Sequence, residues 1–366
     1  MGEGGLAVVV QRPGVVTLRE EPPPGPIREG QFDVETVFSG LSTGTDLSWV
    51  KGTNPALHSR WDAELGLFRS GTPNSGYPVT TFGYMQVGRV ATSATDAVST
   101  GDLVAMTYGH RSKFRADALT DRFVRLPADF ESVLGIFVAH MGPICANGLL
   151  HAAADLHGTD VRSLADGVRG RRVAVMGAGV VGLMAGLLAE HHGAASVVVL
   201  DATPARRRIA ERLGLQTLGV EDADPAVTLK TRWRHAAGDR GADVVFQCRG
   251  QASALATALR ILRPQGAVID LAFYPGGCAE VRLGEEFHHN GLSVRCAQIA
   301  RVPRGLGHFW NRDRLTTETL ELLSVRGEDI AAHLITEYVP FADAPKALTE
   351  LAQTRHQALQ LVFTNP

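Results

Sequence analysis

The sequence predicts an α/β protein in which a doubly wound parallel sheet is joined to a β-rich domain, and three observations lead there. Residues 172 to 201, RVAVMGAGVVGLMAGLLAEHHGAASVVVLD, run from an apolar stretch through a Gly-rich turn and a helix-length apolar segment to a second β-branched run. That order reads as strand, turn, helix, strand. The same alternation continues beyond Asp201. Before residue 150, by contrast, short apolar or alternating runs broken by Gly, Pro and Asp replace helix-length segments, as in a compact barrel-like domain.

In chain order, LAVVV, VVTL, FDVETVFSG, QVGRVA and DLVAMTYG supply the strands of the first domain. The stretch from Gly52 to Pro78 lacks strand periodicity and carries Trp61, Leu65, Leu67 and Phe68. Two readings stand for it: a lid or pocket wall with Trp61 against a substrate, or a solvated insertion whose apolar residues pack locally. Residues 131 to 157 turn helical and lead through a polar stretch into the strand at Val173. After Asp201, PARRRIAERLG is a helix with Pro204 at its start and Gly214 at its end. Asp243 to Cys248 is a buried strand, ASALATALRILRPQG a helix and Ala267 to Phe273 the next strand. Beyond Gly291 to Ile299 the chain changes character. HLITEYVPFADAPKALTELA and QALQLVFT offer a strand, a helix and a last strand, which most simply return to the first domain. The expected divisions are therefore 1–150, 151–303 and 304–366.

The Gly-rich turn carries the clearest chemistry. Gly177 allows the tight turn, Gly179 lets a pyrophosphate approach the backbone, and Gly182 lets the helix opened by Val180 and Val181 pack on the sheet. The helix N-terminus then faces negative charge. Asp201 follows Gly182 by nineteen residues, where a carboxylate accepts hydrogen bonds from both adenosine ribose hydroxyls and repels a phosphate there. NAD is thus expected over NADP. Val173 to Ala189 is also seventeen uncharged residues, but its glycines and the flanking Arg172 and Glu190 argue against a membrane span, which needs about twenty apolar residues.

Composition narrows the class. With 366 residues, 45% hydrophobic and 20% charged, the chain suits two domains of a soluble enzyme, and a net charge of −2 argues against nucleic acid or anionic membrane as partner. Four lysines against thirty-two arginines reflect a GC-rich coding genome rather than an arginine-based site. Cys145, Cys248, Cys278 and Cys296 are scattered with no CxxC pair, which fits reduced thiols in a cytoplasmic protein. The apolar run Leu6 to Val10 is too short for a signal peptide.

Several separated motifs now point one way: SGLSTGTDL (Ser39 to Leu47), GYMQVGRV (Gly83 to Val90), GDLV (Gly101 to Val104), GAGVVG and LITEYVPFADAPKAL. In this order they resemble the medium-chain dehydrogenase/reductase superfamily, the zinc-type alcohol dehydrogenases, along nearly the whole chain. SGLSTGTD, YP followed by GY and VGRV, and the FY of LAFYPG are most similar to its bacteriochlorophyllide hydroxyethyl dehydrogenase branch. The resemblance implies a GroES-like catalytic domain beside a Rossmann domain, and a homodimer or tetramer paired through GLSVRCAQI. It also implies an NAD-dependent enzyme that interconverts a secondary alcohol and a ketone of moderate bulk. Reduction of a C=C or C=N bond on the same fold, and a non-catalytic dinucleotide sensor, are the alternatives.

The family's zinc ligands are not matched. Thr43 stands at the cysteine position, Tyr84 and Met85 at the histidine–glutamate pair, and Pro143 or Ile144 at the third ligand, and TYGHRSKFRADAL lacks the structural cysteines. No zinc is expected. His140 and Cys145 read as a partly buried histidine and a packed thiol rather than ligands. Without a metal, another donor must meet charge developing on the substrate oxygen. Tyr84 offers a phenol for this, although it is also open to read as a core residue. By the family pattern Thr45 relays protons through the ribose and Thr43 hydrogen-bonds the substrate, while the relay histidine is replaced by Ser48. Asp46 matches an acid that supports the zinc site, and here it is expected to hold Tyr84, Arg89 or a backbone amide. Arg206 stands where the family places a base over the ribose. The backbones of Cys248, Arg249 and Gly250, and of Leu271, Ala272 and Phe273, are expected to flank the nicotinamide. Met85, His140 and the pair His288 and His289 complete the expected substrate contacts.

Overall fold

A computed structural model describes residues 4–221, 223–274, 276–353 and 358–365. It divides the chain into two units: Met1–His140 with Ile335–Pro366, and Met141–Leu334.

In the second unit, strands form where β-branched residues run together. Six of them lie in the order Gln216–Leu218, Ser196–Leu200, Arg172–Met176, Ala242–Gln247, Leu262–Asp270, Ser293–Cys296, all neighbours parallel. The chain starts in the middle, winds outward, then returns to wind the other way. Its reversal point lies between Arg172–Met176 and Ala242–Gln247, where Val173 pairs with Val244 and Met176 with Gln247. Ligands of open α/β sheets bind at such a crevice beyond the carboxyl ends.

The apolar helix Val180–His191 is buried from Gly182 through Ala189. Its 12 residues span about 18 Å, well short of a bilayer core. Among the described residues no helix is long and apolar enough to cross a membrane. On one face of the sheet Ala174, Val198, Val245, Ala258, Leu259 and Val268 share a core. Each fully buried Val or Leu there contributes about 1.5–3 kcal/mol.

The first unit carries an antiparallel hairpin, Gly5–Arg12 with Val15–Glu21, and a larger sheet. The sheet runs Ile335–Pro340, Gln360–Thr364, Gln31–Gly40, Gln86–Ser93, Leu103–Met106, Val124–Arg125, with Lys113–Asp117 also on Gln31–Gly40. The C-terminal strand pairs with it through Val362 on Gly40, and Phe341, Leu348, Leu361 and Phe363 join Val8, Val10, Leu47 and Val79 in one core.

The divisions expected at 150 and 304 move. The helix Met141–His157 belongs wholly to the second unit, because it is buried along most of its length there. So does the helix Arg312–His333, whose Thr319 lies so close to Gly142 that a methyl on that glycine would meet its side chain at 2.1 Å. The C-terminal return therefore starts at Ile335. Two other expectations change. The helix expected to run to Gly266 stops at Ile261, since Pro264 disfavours helix in the residue before it, and the strand begins at Leu262. The stretch after Gly52 contains a small hairpin, Arg60–Asp62 with Leu67–Arg69, held by Trp61 against Phe68 at 4.9 Å between ring centroids. Of the expected last strand and the LAFYPG motif, Gln357 and Pro275 lie outside the described residues.

Candidate functional site: a glycine turn and a hydroxyl cluster

In the second unit the glycine turn is built by close approach. Gly177 has φ 99°, and its amide donates to Leu200 O at 2.7 Å, tying the turn to the neighbouring strand. A β-carbon on Gly182 would lie 1.9 Å from Gly177 O, so only glycine lets the helix fold back this tightly. A β-carbon on Gly179, the residue capping the helix, would meet nothing. Open space therefore lies in front of the first free amides of Val180 and Val181, which suits an anion. A cavity of about 510 Å³ lies at the carboxyl ends, lined by Gly177, Asp201, Arg249, Gln251 and Arg260 among others.

Asp201 is nearly sealed, with 2% exposure. Its Oδ2 accepts the Ala178 amide at 2.9 Å and its Oδ1 the Thr203 amide at 2.7 Å. Each oxygen keeps a second lone pair for a ligand hydroxyl, yet the carboxylate's first task is to hold the turn. Arg206 is half-buried in the first turn of the helix Pro204–Arg212. Arg207, the next residue, donates to Asp201 O at 2.6 Å.

Cys248 and Arg249 leave the sheet beside the turn, with the Cys248 amide donating to Met176 O at 3.0 Å. Gly250 approaches Phe273 so closely that a β-carbon would lie 2.0 Å from Phe273 O. The Leu271 amide donates to Gln247 O at 2.9 Å, which brings 248–250 and 271–273 together at the sheet's carboxyl edge. The Arg249 side chain, of which the expectation said nothing, faces Asp201 in the cavity. Burial pushes the Cys248 and Cys145 thiols well up, so neither is a ready nucleophile. Burial likewise raises the Asp270 carboxyl, which accepts the Tyr274 hydroxyl at 2.9 Å.

In the first unit, Tyr84 sits among hydroxyls. Its Oη is 2.5 Å from Ser42 Oγ and 3.5 Å from Thr45 Oγ1, and its ring packs on His140 at 4.5 Å between centroids. Beneath this lies a fully buried network. Asp46 Oδ2 accepts the Ser42 amide at 2.7 Å and stands 3.3 Å from His110 Nε2. His110 Nδ1 is 2.7 Å from Ser39 Oγ, which also accepts Gln86 Nε2 at 3.1 Å. The order Asp, His, Ser resembles a nucleophilic triad, but all three side chains are buried and the His110 ring is wedged between Phe82 and Phe363. It pins the Ser42 loop. Gly83, with φ 91°, makes room for it, because a β-carbon there would lie 2.6 Å from His110 Nε2.

Of the other residues expected here, Thr43 and Thr45 are exposed, so both hydroxyls reach solvent. Ser48 turns away, donating to Thr45 O at 2.6 Å. Met85, expected against substrate, is fully buried and packs on Gly40, just ahead of the strand Gln86–Ser93. Trp61 stays with Phe68 on the hairpin. His288 and His289 are exposed and pair ring to ring at 5.6 Å. Ser42 and His110 are the residues that sequence reading missed. Ser42 lies inside the SGLSTGTD motif, so its position was visible and its role was not.

Zinc does not fit here. Thr43 and Tyr84 offer hydroxyls, Pro143 and Ile144 carry no donor atom on their side chains, and the Met85 thioether is sealed in the core. Among the described residues no three His, Cys, Asp or Glu side chains are grouped to hold a metal.

A glycine turn at the switch point of a sheet ordered this way, in a chain whose other unit is β-rich and takes back the C-terminal strand, is the arrangement of the two-domain dinucleotide-binding class. Residues 180–303 match the zinc-binding dehydrogenase family. That segment contains none of Thr43, Tyr84, Met85 or Ile144, so the family's name carries no information about zinc in this chain. The chain is 30% identical over 226 residues to D-guloside 3-dehydrogenase of Shigella flexneri, covering 60% of this chain and 61% of that protein. The match thus spans about three-fifths of that relative's own length. Galactitol-1-phosphate dehydrogenase of Escherichia coli shares the fold, with TM-score 0.73 at 18% identity over 98% of this chain and 100% of the other. So does a zinc-binding dehydrogenase target of Sinorhizobium meliloti 1021 bound to NADP, with TM-score 0.72 at 19% identity over 99% of both chains. The chain is thus similar in sequence to sugar and alcohol dehydrogenases over about three-fifths of its length, and it shares the fold of medium-chain dehydrogenases along nearly all of it.

Proposed function

We propose that this protein is a zinc-independent, nicotinamide-dependent oxidoreductase that interconverts a secondary alcohol and a ketone, using Tyr84 where zinc-type relatives use the metal. The observation that carries the reading is the Tyr84 hydroxyl, 2.5 Å from Ser42 Oγ on a loop fixed by Asp46 and His110. When bound, the cofactor supplies or takes the hydride. Gly179 and the amides of Val180 and Val181 would receive its pyrophosphate, and Asp201 its adenosine ribose, which favours NAD(H).

In reduction, Tyr84 donates its proton to the oxygen that becomes the alcohol. The Ser42 hydroxyl then donates to the phenolate, stabilising the charge. Thr45, exposed at the edge of hydrogen-bond range, offers the route by which solvent returns the proton. Oxidation runs the same steps backward.

The edge strand Ser293–Cys296, with Val294 exposed, supports a homodimer paired edge to edge, which light scattering checks. The described cysteines are free thiols, consistent with a cytoplasmic protein.

The test is NADH consumption on a panel of bulky ketones, with glycoside-derived ketones included because of the D-guloside relative. Wild-type turnover should fall about 10²–10³-fold in Tyr84→Phe while NADH affinity stays within twofold. Undiminished turnover in that variant would remove Tyr84 from the chemistry.

A further inference from the structure

The cofactor cavity holds a cation whose charge is not consumed by its own ion pair. Arg260, also on its lining, is taken by Asp224 at 2.6 Å and Glu286 at 3.3 Å. Arg249 is placed differently. Its β-carbon packs on the glycine turn, where a methyl on Gly177 would lie 3.2 Å away. Nε donates to Gln251 Oε1 at 2.8 Å, which fixes the fork. Nη1 then stands 3.9 Å from Asp201 Oδ2, too far for a hydrogen bond and close enough for strong attraction between charges.

Asp201 itself is occupied by the Ala178 and Thr203 amides and almost sealed. The carboxylate that should repel a phosphate is thus screened by two N–H dipoles and a guanidinium. Planar guanidinium forks are well suited to phosphate. Without Arg249 the same lining would keep Asp201 and Glu221 with no opposing charge beyond the committed Arg260.

We infer that Arg249 sets the cofactor specificity of this site, offsetting Asp201 so that a 2′-phosphorylated adenosine cofactor, NADP(H), is accepted alongside NAD(H). The inference rests on the proposed dinucleotide site and concerns which dinucleotide it admits.

The experiment uses two probes that lack nicotinamide, ADP-ribose and 2′-phospho-ADP-ribose. They are titrated calorimetrically into the full chain, into Arg249→Met and into Arg249→Lys, with thermal melts to confirm folding. Wild type should bind the two probes within about tenfold of each other. Arg249→Met should weaken the phosphorylated probe at least tenfold more than the plain one, and Arg249→Lys should recover most of that loss. A wild-type preference for plain ADP-ribose beyond tenfold, or equal weakening of both probes in Arg249→Met, would overturn the inference. If wild type binds neither probe, the dinucleotide reading falls and takes this inference with it. If both bind but no alcohol or ketone turns over, only the proposed reaction is lost.

Discussion

The glycine turn and the Tyr84 cluster are two sites made in opposite ways. Around Gly177, Gly179 and Gly182 the functional groups are backbone amides, and what matters is the absence of side chains. Around Tyr84 the groups are hydroxyls, brought together from Ser42, Thr45 and Tyr84 and braced from beneath by Asp46, His110 and Ser39. The first is fixed by spacing within a dozen residues. The second depends on contacts between segments up to 71 residues apart. A backbone site should therefore fail sharply when a β-carbon intrudes, whereas a side-chain site should lose chemistry and keep its fold.

The largest effect is expected at Gly182. Valine there drives its β-carbon into Gly177 O, and the overpacked turn should cost the cofactor unit about 3 kcal/mol or more and abolish NADH binding. Melting temperature and nicotinamide fluorescence read both losses; a variant that melts and binds like wild type would contradict the close approach. Tyr84→Phe should come next, with turnover down by the factor given above and no change in melting.

Gly179→Ala separates ligand space from folding. Its β-carbon meets no protein atom, so the melting temperature should hold while NADH affinity drops about tenfold or more, because the methyl fills the space in front of the helix. Affinity unchanged in this variant would mean that the pyrophosphate lies elsewhere. Ser42→Ala should cost turnover about tenfold through the lost hydrogen bond to Tyr84, leaving cofactor affinity intact.

The smallest effect lies at the far end of the glycine-turn helix, at His192. Burial, with like charge from His191 and Arg169, lowers its imidazole to about 4. Glu318 lies 3.4 Å away, yet burial raises that carboxyl too, so the contact is not an ion pair at neutral pH. The unfolded chain takes up a proton near pH 6.5 and the folded one only near 4, so stability is complete above about 6.5 and declines as pH falls toward 4. Solvent still reaching the ring reduces the effect to about 1–2 kcal/mol. His192→Gln should flatten that acid limb in melts taken from pH 7 to 4.5. An unchanged limb would assign it to other groups.

The wiring within each site shows what could be read in advance. The turn, its helix and Asp201 could be placed from sequence because β-branched runs, glycines and an acid at fixed separations leave few other folds. Even there the carboxylate's duties were not legible: that Ala178, Thr203 and Arg249 all address it depends on where three loops end. Tyr84 was found through a motif, whereas Ser42 and His110 carried no local signal that set them apart from a turn serine and a loop histidine. Met85, next to Tyr84, went to the core against Gly40, a contact that no local pattern announces.

The sequence by itself determined two sheets, the order of strand and helix in the second unit, the glycine turn and the residue types at the zinc-ligand positions, because each is a matter of residue type at short spacing. Tertiary structure alone decided that the second unit keeps both flanking helices, that Asp46 and His110 brace the Ser42 loop, and that Arg249 faces Asp201. Those outcomes depend on burial and Coulomb attraction between residues far apart in the chain. Such forces act on distances that only folding sets.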